Sequence, residues 1–296
     1  MAAAKRTKAS DKQGICKKIV TVLKKRYGGS IPKSDRPIME TIVYAVCLEN
    51  ATVEEANAAY ERLGTTFFDW NEARVSTITE LERVFASMVD PEWRAFRIRT
   101  VLNYIFETHY KFDLELLRRK TLDLANKELT KISDLTPFVR NYTLQTTLGG
   151  HLVPVDERML RAAIWLGLTP PGTTERKASG NLKSAVRKAN VSLFCHLLRK
   201  LANDSTLGRA FKFDPAKADA EAFDLMTAPD RLIQLFEKPK PRAKKKTAKK
   251  SAPRKKTPKK KATTRKPAAK KKSPVKKKKA ATGRATKKKT ARATAR

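Results

Sequence analysis

The stretch Leu135–Arg161, LTPFVRNYTLQTTLGGHLVPVDERMLR, decides the fold of this chain. Its residue types predict a short turn, a helix over about 140–148 and a break at Gly149-Gly150. The apolar Val-Pro-Val at 153–155 then leads to Asp156 at the start of another helix. Aspartate is a favoured N-cap because its carboxylate accepts a backbone N–H of the first helical turn. Two helices joined by a short apolar connector are therefore expected at the centre of the fold.

The rest of residues 14–203 also has helical patterning. Apolar residues recur at spacings of three and four, and the period-2 alternation of strands is scarce. Pro37 precedes a helix predicted over Ile38–Leu48, and Thr77 to Glu80 has the form of a capping box. One further helix is expected over Asn181–Ala202. The prediction is an all-α, two-lobed helical domain with short connections.

The charge of the chain is divided unevenly. The 296 residues carry 66 Lys or Arg against 29 Asp or Glu, a net charge of +37. Every acidic residue lies at or before Glu237, so residues 1–237 have a net charge of +8 and the last 59 residues have +29. Those 59 residues contain no aromatic side chain and one branched aliphatic, so they cannot bury enough apolar surface to offset their chain entropy. Three parts are predicted: a disordered basic N-terminus over 1–13, a helical domain over 14–236 and a disordered Lys/Ala/Pro-rich tail over 237–296.

A polycation of this density binds a polyanion by displacing condensed counterions, with little dependence on sequence. The predicted partner is double-stranded DNA. RNA is less favoured, and the tail lacks the amphipathic or aromatic element of a membrane tether. The expected location is therefore intracellular and associated with DNA, in a nucleoid or a nucleus; the oligomeric state stays open. The tail residues predicted to bind DNA are Lys244, Lys245, Lys246, Lys255, Lys256, Lys259, Lys260, Lys276, Lys277, Lys278 and Lys279.

Two resemblances extend these predictions. The tail resembles the C-terminal tails of linker histones through Thr257-Pro-Lys-Lys260 and Ser273-Pro-Val-Lys276, which look like their Ser/Thr-Pro-x-Lys elements. The stretch Leu135–Arg161 resembles the helix-hairpin-helix DNA glycosylases of the endonuclease III superfamily, in which a hairpin grips a DNA phosphate and an apolar-Val-Asp places the catalytic carboxylate. That likeness spans roughly residues 14–205, and its most specific part is Val155-Asp156 with Arg161.

The glycosylase resemblance implies roles for individual residues. Asp156 takes the catalytic carboxylate position, Glu49 lies where many members carry a loop glutamine, and Arg140 and Asn141 are expected to contact DNA. Asn141 also occupies the position of the lysine with which bifunctional members form a Schiff base, so lyase chemistry is not expected. The hairpin glycines are replaced by Pro137 and Val139, which implies an altered phosphate grip.

No common cofactor or metal motif accompanies this pattern. The sequence has no P-loop, GxGxxG, HExxH or GxSxG, and its three cysteines form no CxxC pair. No cysteine follows Cys195, so the four-cysteine iron–sulfur loop of many members is absent. No cofactor and no metal are therefore predicted.

Two functions stay open at this point. The first is a monofunctional glycosylase of base-excision repair, held on DNA by its tail and removing a damaged or mismatched base. The second is a non-catalytic, histone-like architectural protein on a degenerate glycosylase scaffold, in which Asp156 is only a helix cap. For Arg140 the alternative is a solvated helix face, and for Glu49 a surface position at a helix C-terminus.

Overall fold

A computed structural model of the chain describes residues 9–217 and 223–237, and every structural statement below concerns these residues. They form twelve α-helices and two short 3-10 helices, with no strand. The 3-10 helices cover Glu115–Arg119 and Lys188–Asn190. The α-helices are α1 Ala9–Tyr27, α2 Ile38–Leu48, α3 Val53–Thr66, α4 Trp70–Val75, α5 Ile78–Val84, α6 Pro91–His109, α7 Leu122–Thr130, α8 Pro137–Leu148, α9 Glu157–Trp165, α10 Glu175–Ala185, α11 Val191–Asn203 and α12 Ala228–Glu237.

The helices form two lobes, as predicted. In the first lobe, α2 packs against α3, α6 and α8, while α5 packs on α6. In the second lobe, α1 packs against α10, α11 and α12, and α9 packs on α11. Helix α2 lies at the centre of the first lobe because nearly all of its side chains are apolar, and only Glu40 of its residues is not buried. The all-α fold class predicted from the sequence is confirmed.

Three predicted boundaries differ from the structure. The helix expected over about 140–148 is α8, which begins three residues earlier at Pro137, because proline fits the first turn after the Thr136 cap. Helix α1 begins at Ala9, so residues 9–13, expected within a disordered N-terminus, are helical; Asp11 in the first turn favours this start. The single helix expected over Asn181–Ala202 is instead α10 and α11, separated by an extended Val186. The carbonyl of Val186 lies 2.9 Å from a ring nitrogen of His151, a tertiary contact that the local pattern does not contain.

Other predictions fall outside the described residues. Residues 1–8 of the predicted N-terminal segment and the tail after Glu237 are among them. The eleven tail lysines predicted to bind DNA, from Lys244 to Lys279, lie there too. The interpretation of the tail as a DNA-binding polycation consequently stays a prediction from composition.

Candidate functional site

Asp156 is the N-cap of α9. Its Oδ1 atom accepts the backbone N–H of Met159 at 2.8 Å, which satisfies one of the unpaired donors of the first helical turn. Its Oδ2 atom accepts the backbone N–H of Asn50 at 3.2 Å. The side chain is 1% exposed, so the carboxylate is buried with both oxygens bonded. The expected cap is confirmed, and the second bond joins the two lobes.

The turn between α2 and α3 brings Glu49 and Asn50 to this carboxylate. Asn50 has a positive φ of 52°, a left-handed conformation that asparagine tolerates better than most residues. Glu49 is 7% exposed, so the surface position considered for it is wrong. Its Oε2 atom accepts a hydrogen bond from Arg97 Nη1 at 2.9 Å. Burial raises the pKa of Glu49, and the nearby Arg97 charge opposes that rise.

Arg94 of α6 anchors the same turn from inside the first lobe. Its Nε atom donates to the carbonyl of Val89 at 2.8 Å, and its Nη1 atom donates to the carbonyls of Val46 and Cys47. The Nη2 atom donates to the carbonyl of Glu49. One buried guanidinium therefore satisfies carbonyls at the C-terminus of α2, where the helix itself provides no donor.

A third, partly buried carboxylate lies near the first two. Glu175, in the first turn of α10, has a raised pKa because it is partly buried and because the charges of Glu49, Asp156 and Glu157 act on it. These acidic residues come from α9, α10 and the α2–α3 turn. Sequence reasoning missed Glu175, and no local signal could have found it, since nothing in its surroundings differs from an ordinary acidic first turn.

The hairpin that precedes α8 is built without glycine. Asp134 supplies the left-handed residue of the turn, with φ of 59°. Thr136 caps α8 and accepts the N–H of Val139 at 3.2 Å, and Pro137 occupies the first turn. Pro137 has no N–H, and that of Val139 is already bonded, so the start of α8 offers fewer donors to a phosphate than a free helix N-terminus would.

Arg140 and Asn141, the two residues predicted to contact DNA in this region, have different surroundings. Arg140 is half-buried, donates to Thr130 Oγ1 at 3.3 Å and has a pKa lowered by burial and by the charge of Arg176. These two arginines are therefore close enough to repel each other. The Asn141 amide donates to Ser179 Oγ at 3.2 Å, which fixes it against α10.

A cavity of about 430 Å³ lies beside this site. Leu48 and Val53, which flank the turn that contacts Asp156, both line it. Further walls come from α8, α11 and the segment before α2. Tyr44 and Tyr142 present aromatic rings there, with centroids 6.3 Å apart. The carboxylates of Asp156 and Glu49 are not among its described lining groups, and neither are the residues of the turn itself, 49–52.

This helical arrangement resembles the all-α fold of endonuclease III. A structure of a trapped covalent intermediate of endonuclease III with DNA, the estranged-adenine complex, is similar with a TM-score of 0.51 and 17% identity. A non-covalent endonuclease III–DNA complex is similar with a TM-score of 0.52 and 18% identity. Each match covers 64% of this chain and 85% of the other. At these identities the likeness is one of fold.

Sequence comparisons add no closer relationship. No protein-family model matches this sequence, and no curated protein matches it.

Two further properties concern membrane crossing and metal binding. Among the described helices, none combines the length and the apolar character that crossing a membrane requires. Within residues 9–217 and 223–237, no group of three or more His, Cys, Asp or Glu side chains is arranged to hold a metal ion. The prediction that the protein works without a cofactor is not tested by these observations.

Proposed function

We propose that this protein binds DNA and hydrolyses the N-glycosidic bond of a base turned out of the duplex. The observation that carries the proposal is the position of Asp156: it caps α9 and bonds to the α2–α3 turn, on either side of which Leu48 and Val53 line the cavity. The cavity would receive the base, since a base must leave the stack before its glycosidic bond can be reached. The similarity to endonuclease III–DNA complexes supports the scaffold on which this geometry is built.

The proposed chemistry depends on a negatively charged carboxylate next to the sugar. Breaking a glycosidic bond develops positive charge on the sugar, and a fixed carboxylate stabilises that charge strongly where water is excluded. Asp156 would be this carboxylate, and it would also orient the attacking water. The negative charges of Glu49 and Glu175 act on the same region. Because Asp156 is 1% exposed, the Glu49–Asn50 turn must move when substrate binds.

The reaction would be monofunctional. Strand cleavage through a Schiff base needs an amine nucleophile near the sugar. Asn141 carries an amide, and the lone pair of its nitrogen is delocalised into the carbonyl, so the nitrogen is not a nucleophile. The same nitrogen already donates a hydrogen bond to Ser179. Hydrolysis by water is therefore the step that these residues can support.

Contacts with the DNA backbone would come from arginines and from the tail. Arg140 and Arg176 lie close together, and Arg140 has no carboxylate within ion-pair distance among the described residues. A phosphate between them would relieve their mutual repulsion and replace donors that the glycine-free hairpin lacks. The tail would add sequence-independent affinity and keep the protein on DNA inside the cell.

Single-turnover cleavage of lesion-containing duplexes tests the proposal. The full chain and Asp156→Asn are compared on a panel of damaged and mismatched bases; the variant keeps an oxygen for the cap but not the charge. We expect it to lose more than about 100-fold in rate, as removal of charge stabilisation commonly does. Asp69→Asn is the matched control, since Asp69 caps α4 by the same kind of bond to Glu72. Equal rates for wild type and Asp156→Asn on every lesion would refute the assignment.

A second function is favoured by one observation. Both oxygens of Asp156 are bonded and buried, which is what a purely structural cap requires. On this alternative the protein compacts DNA through its tail and performs no chemistry. Truncation after Glu237 separates the two functions: the architectural function predicts loss of compaction with no lesion processed by any form of the protein.

A further inference from the structure

The charged side chains that line the cavity beside the Glu49–Asn50 turn are all basic. Three of its described lining residues are cationic, namely Lys33, Arg36 and Arg199, and His196 adds an imidazole. No aspartate or glutamate is among the lining residues that the structure describes. A cavity with this lining attracts negative charge, because low-dielectric walls strengthen the field of the cations that line it.

Arg199 is the central member of this set. It lies on α11 and is 5% exposed, and its guanidinium lies 5.3 Å from the ring centroid of Phe138 and 5.4 Å from that of Tyr142. Among the described residues, the one hydrogen bond of this guanidinium is a long contact to Met159 Sδ at 3.9 Å, and its buried Nε atom has no partner. No described carboxylate lies within 4.0 Å of it. A buried cation without a partner anion is costly, so its presence indicates that a ligand completes the site.

Two other side chains point to the same kind of ligand. Among the described residues, the buried Nε2 atom of His196 has no hydrogen-bond partner; burial lowers the pKa of this imidazole, and the charges of Lys200 and Arg199 add to that effect. Arg36 covers the other aromatic wall, with its guanidinium 4.1 Å from the ring centroid of Tyr44. The cavity thus combines aromatic rings with the planar guanidinium groups that cover them, and such planar cationic donors suit a flat ring that carries acceptor atoms at its edge.

We propose that this cavity binds an anionic planar heterocycle, with Arg199 donating to its negatively charged edge. Bases of this class carry a carboxylate or an ionised imide; a cationic, alkylated base is rejected because it would face like charges. The guanidinium can give two parallel hydrogen bonds to such an edge. As a statement about the extrahelical base, the inference rests on the proposed glycosidic function. As a statement about the cavity, it can be tested without DNA.

The first experiment titrates the full chain with free orotate, a pyrimidine carboxylate, and with uracil, its uncharged analogue, at about 0.15 M salt. We expect orotate to bind more than about tenfold tighter than uracil, and Arg199→Gln to remove that preference. Arg187→Gln is the matched control, because Arg187 is exposed and lies outside this cavity. It removes the same charge as Arg199→Gln and leaves any binding of orotate to the basic tail unchanged. Equal binding of the two probes, or an unchanged preference in Arg199→Gln, would overturn the proposal.

Arg199 is buried, so its substitution can prevent folding. Arg36→Gln then serves in its place, because Arg36 is half-buried at the cavity wall and stacks on side-chain rings rather than holding a helix. We expect a loss of about three- to tenfold in orotate affinity. Retention of full orotate affinity in a folded Arg36→Gln protein would count against the site.

A second experiment uses duplexes that contain one 5-carboxyuracil or one 7-methylguanine, each on a 2′-fluorinated sugar that resists cleavage. The anionic base should raise affinity over an undamaged duplex and the cationic base should not. Single-turnover assays on cleavable duplexes with the same bases then separate the two proposals: orotate binding without cleavage of any lesion would refute the glycosidic function and leave the cavity assignment standing. Cleavage with no preference for the anionic base would refute the cavity assignment alone.

Discussion

The Oδ2 atom of Asp156 accepts a hydrogen bond from the backbone N–H of Asn50 at 3.2 Å. This bond links the first residue before α9 to the α2–α3 turn, across 106 positions of sequence. The same carboxylate caps α9 through Met159. One side chain therefore fixes both a helix start and the turn beside the cavity, and its removal should affect stability as well as any chemistry.

Asp156→Ala should lower the free energy of unfolding by about 2–4 kcal/mol. The variant loses the cap and leaves two buried N–H groups, of Met159 and Asn50, without an acceptor. Asp156→Asn should cost about 1 kcal/mol, because the amide oxygen can still accept one of them. Urea unfolding of both variants measures this. The exposed cap Asp69→Ala should cost about 1 kcal/mol, and an Asp156→Ala cost no larger than that would contradict the dual role.

Arg94→Met should be among the most destabilising substitutions in the first lobe, at about 3–5 kcal/mol. It removes a buried donor set and leaves the carbonyls of Val46, Cys47 and Glu49 unpaired near the α2 C-terminus. Thermal and urea unfolding provide the measurement. Arg83→Met, at an exposed position of α5, should stay within about 0.5 kcal/mol. A small effect at Arg94 would mean that these carbonyls find other donors.

Glu49→Gln should change how stability depends on pH. Burial raises the folded-state pKa of Glu49 above the ordinary 4.5, so wild type binds a proton more tightly when folded. The stability from this residue is then full below about pH 4.5 and declines as pH rises through the folded pKa. The free energy of unfolding of Glu49→Gln should therefore increase relative to that of wild type as the pH is raised. Urea unfolding between about pH 4 and about 8 would measure this difference. A relative loss would mean that the Arg97 ion pair outweighs burial.

Glu80→Gln is a control for which the opposite dependence of stability on pH is expected. Glu80 accepts hydrogen bonds from the Thr77 backbone N–H and hydroxyl, which lower its pKa below 4.5. Its contribution to stability is present above pH 4.5 and is lost as pH falls through the lowered folded pKa. Glu80→Gln should therefore be less stable than wild type at neutral pH, and the difference should shrink in acid.

Gly167→Ala should detach the segment that ends in α12 from the end of α9. Gly167 has a φ of 68°, and an added Cβ would lie 2.2 Å from the carbonyl oxygen of Phe223 and 2.7 Å from the nitrogen of Leu225. The backbone strain at residue 167 and the displacement of the segment around Phe223 and Leu225 should together lower the free energy of unfolding by about 3 kcal/mol. Gly180→Ala is the control, since Gly180 is helical with nothing within 4 Å, and it should stabilise by up to about 1 kcal/mol. Hydrogen exchange in α12 should rise in Gly167→Ala alone.

Truncation after Glu237 should flatten the salt dependence of DNA binding. The removed segment carries 29 basic residues and no acidic one. Each phosphate contact that it makes adds about 0.9 to the slope of log affinity against log salt. The slope should therefore fall by several units, whichever duplex sequence is used. An unchanged slope would show that the helical domain supplies the phosphate contacts.

The sequence by itself determined the local features of this protein. It placed α2 at Ile38–Leu48, the capping box at Thr77 and the cap at Asp156, because a proline start, a Thr-x-x-Glu pattern and an aspartate before a helix act within one turn of chain. It also divided the charge at Glu237. These signals need no knowledge of the rest of the molecule.

Tertiary structure alone decided the site. The break between α10 and α11 involves a contact of His151, the approach of Glu175 to Asp156 joins separate helices, and Arg199 meets Tyr142 only because α11 packs beside α8. Each is a contact between residues far apart in the chain, made when apolar faces pack and chain entropy is lost. Helix patterns record which face is buried but not which partner covers it, so the carboxylate cluster and the basic cavity became visible only in the folded molecule.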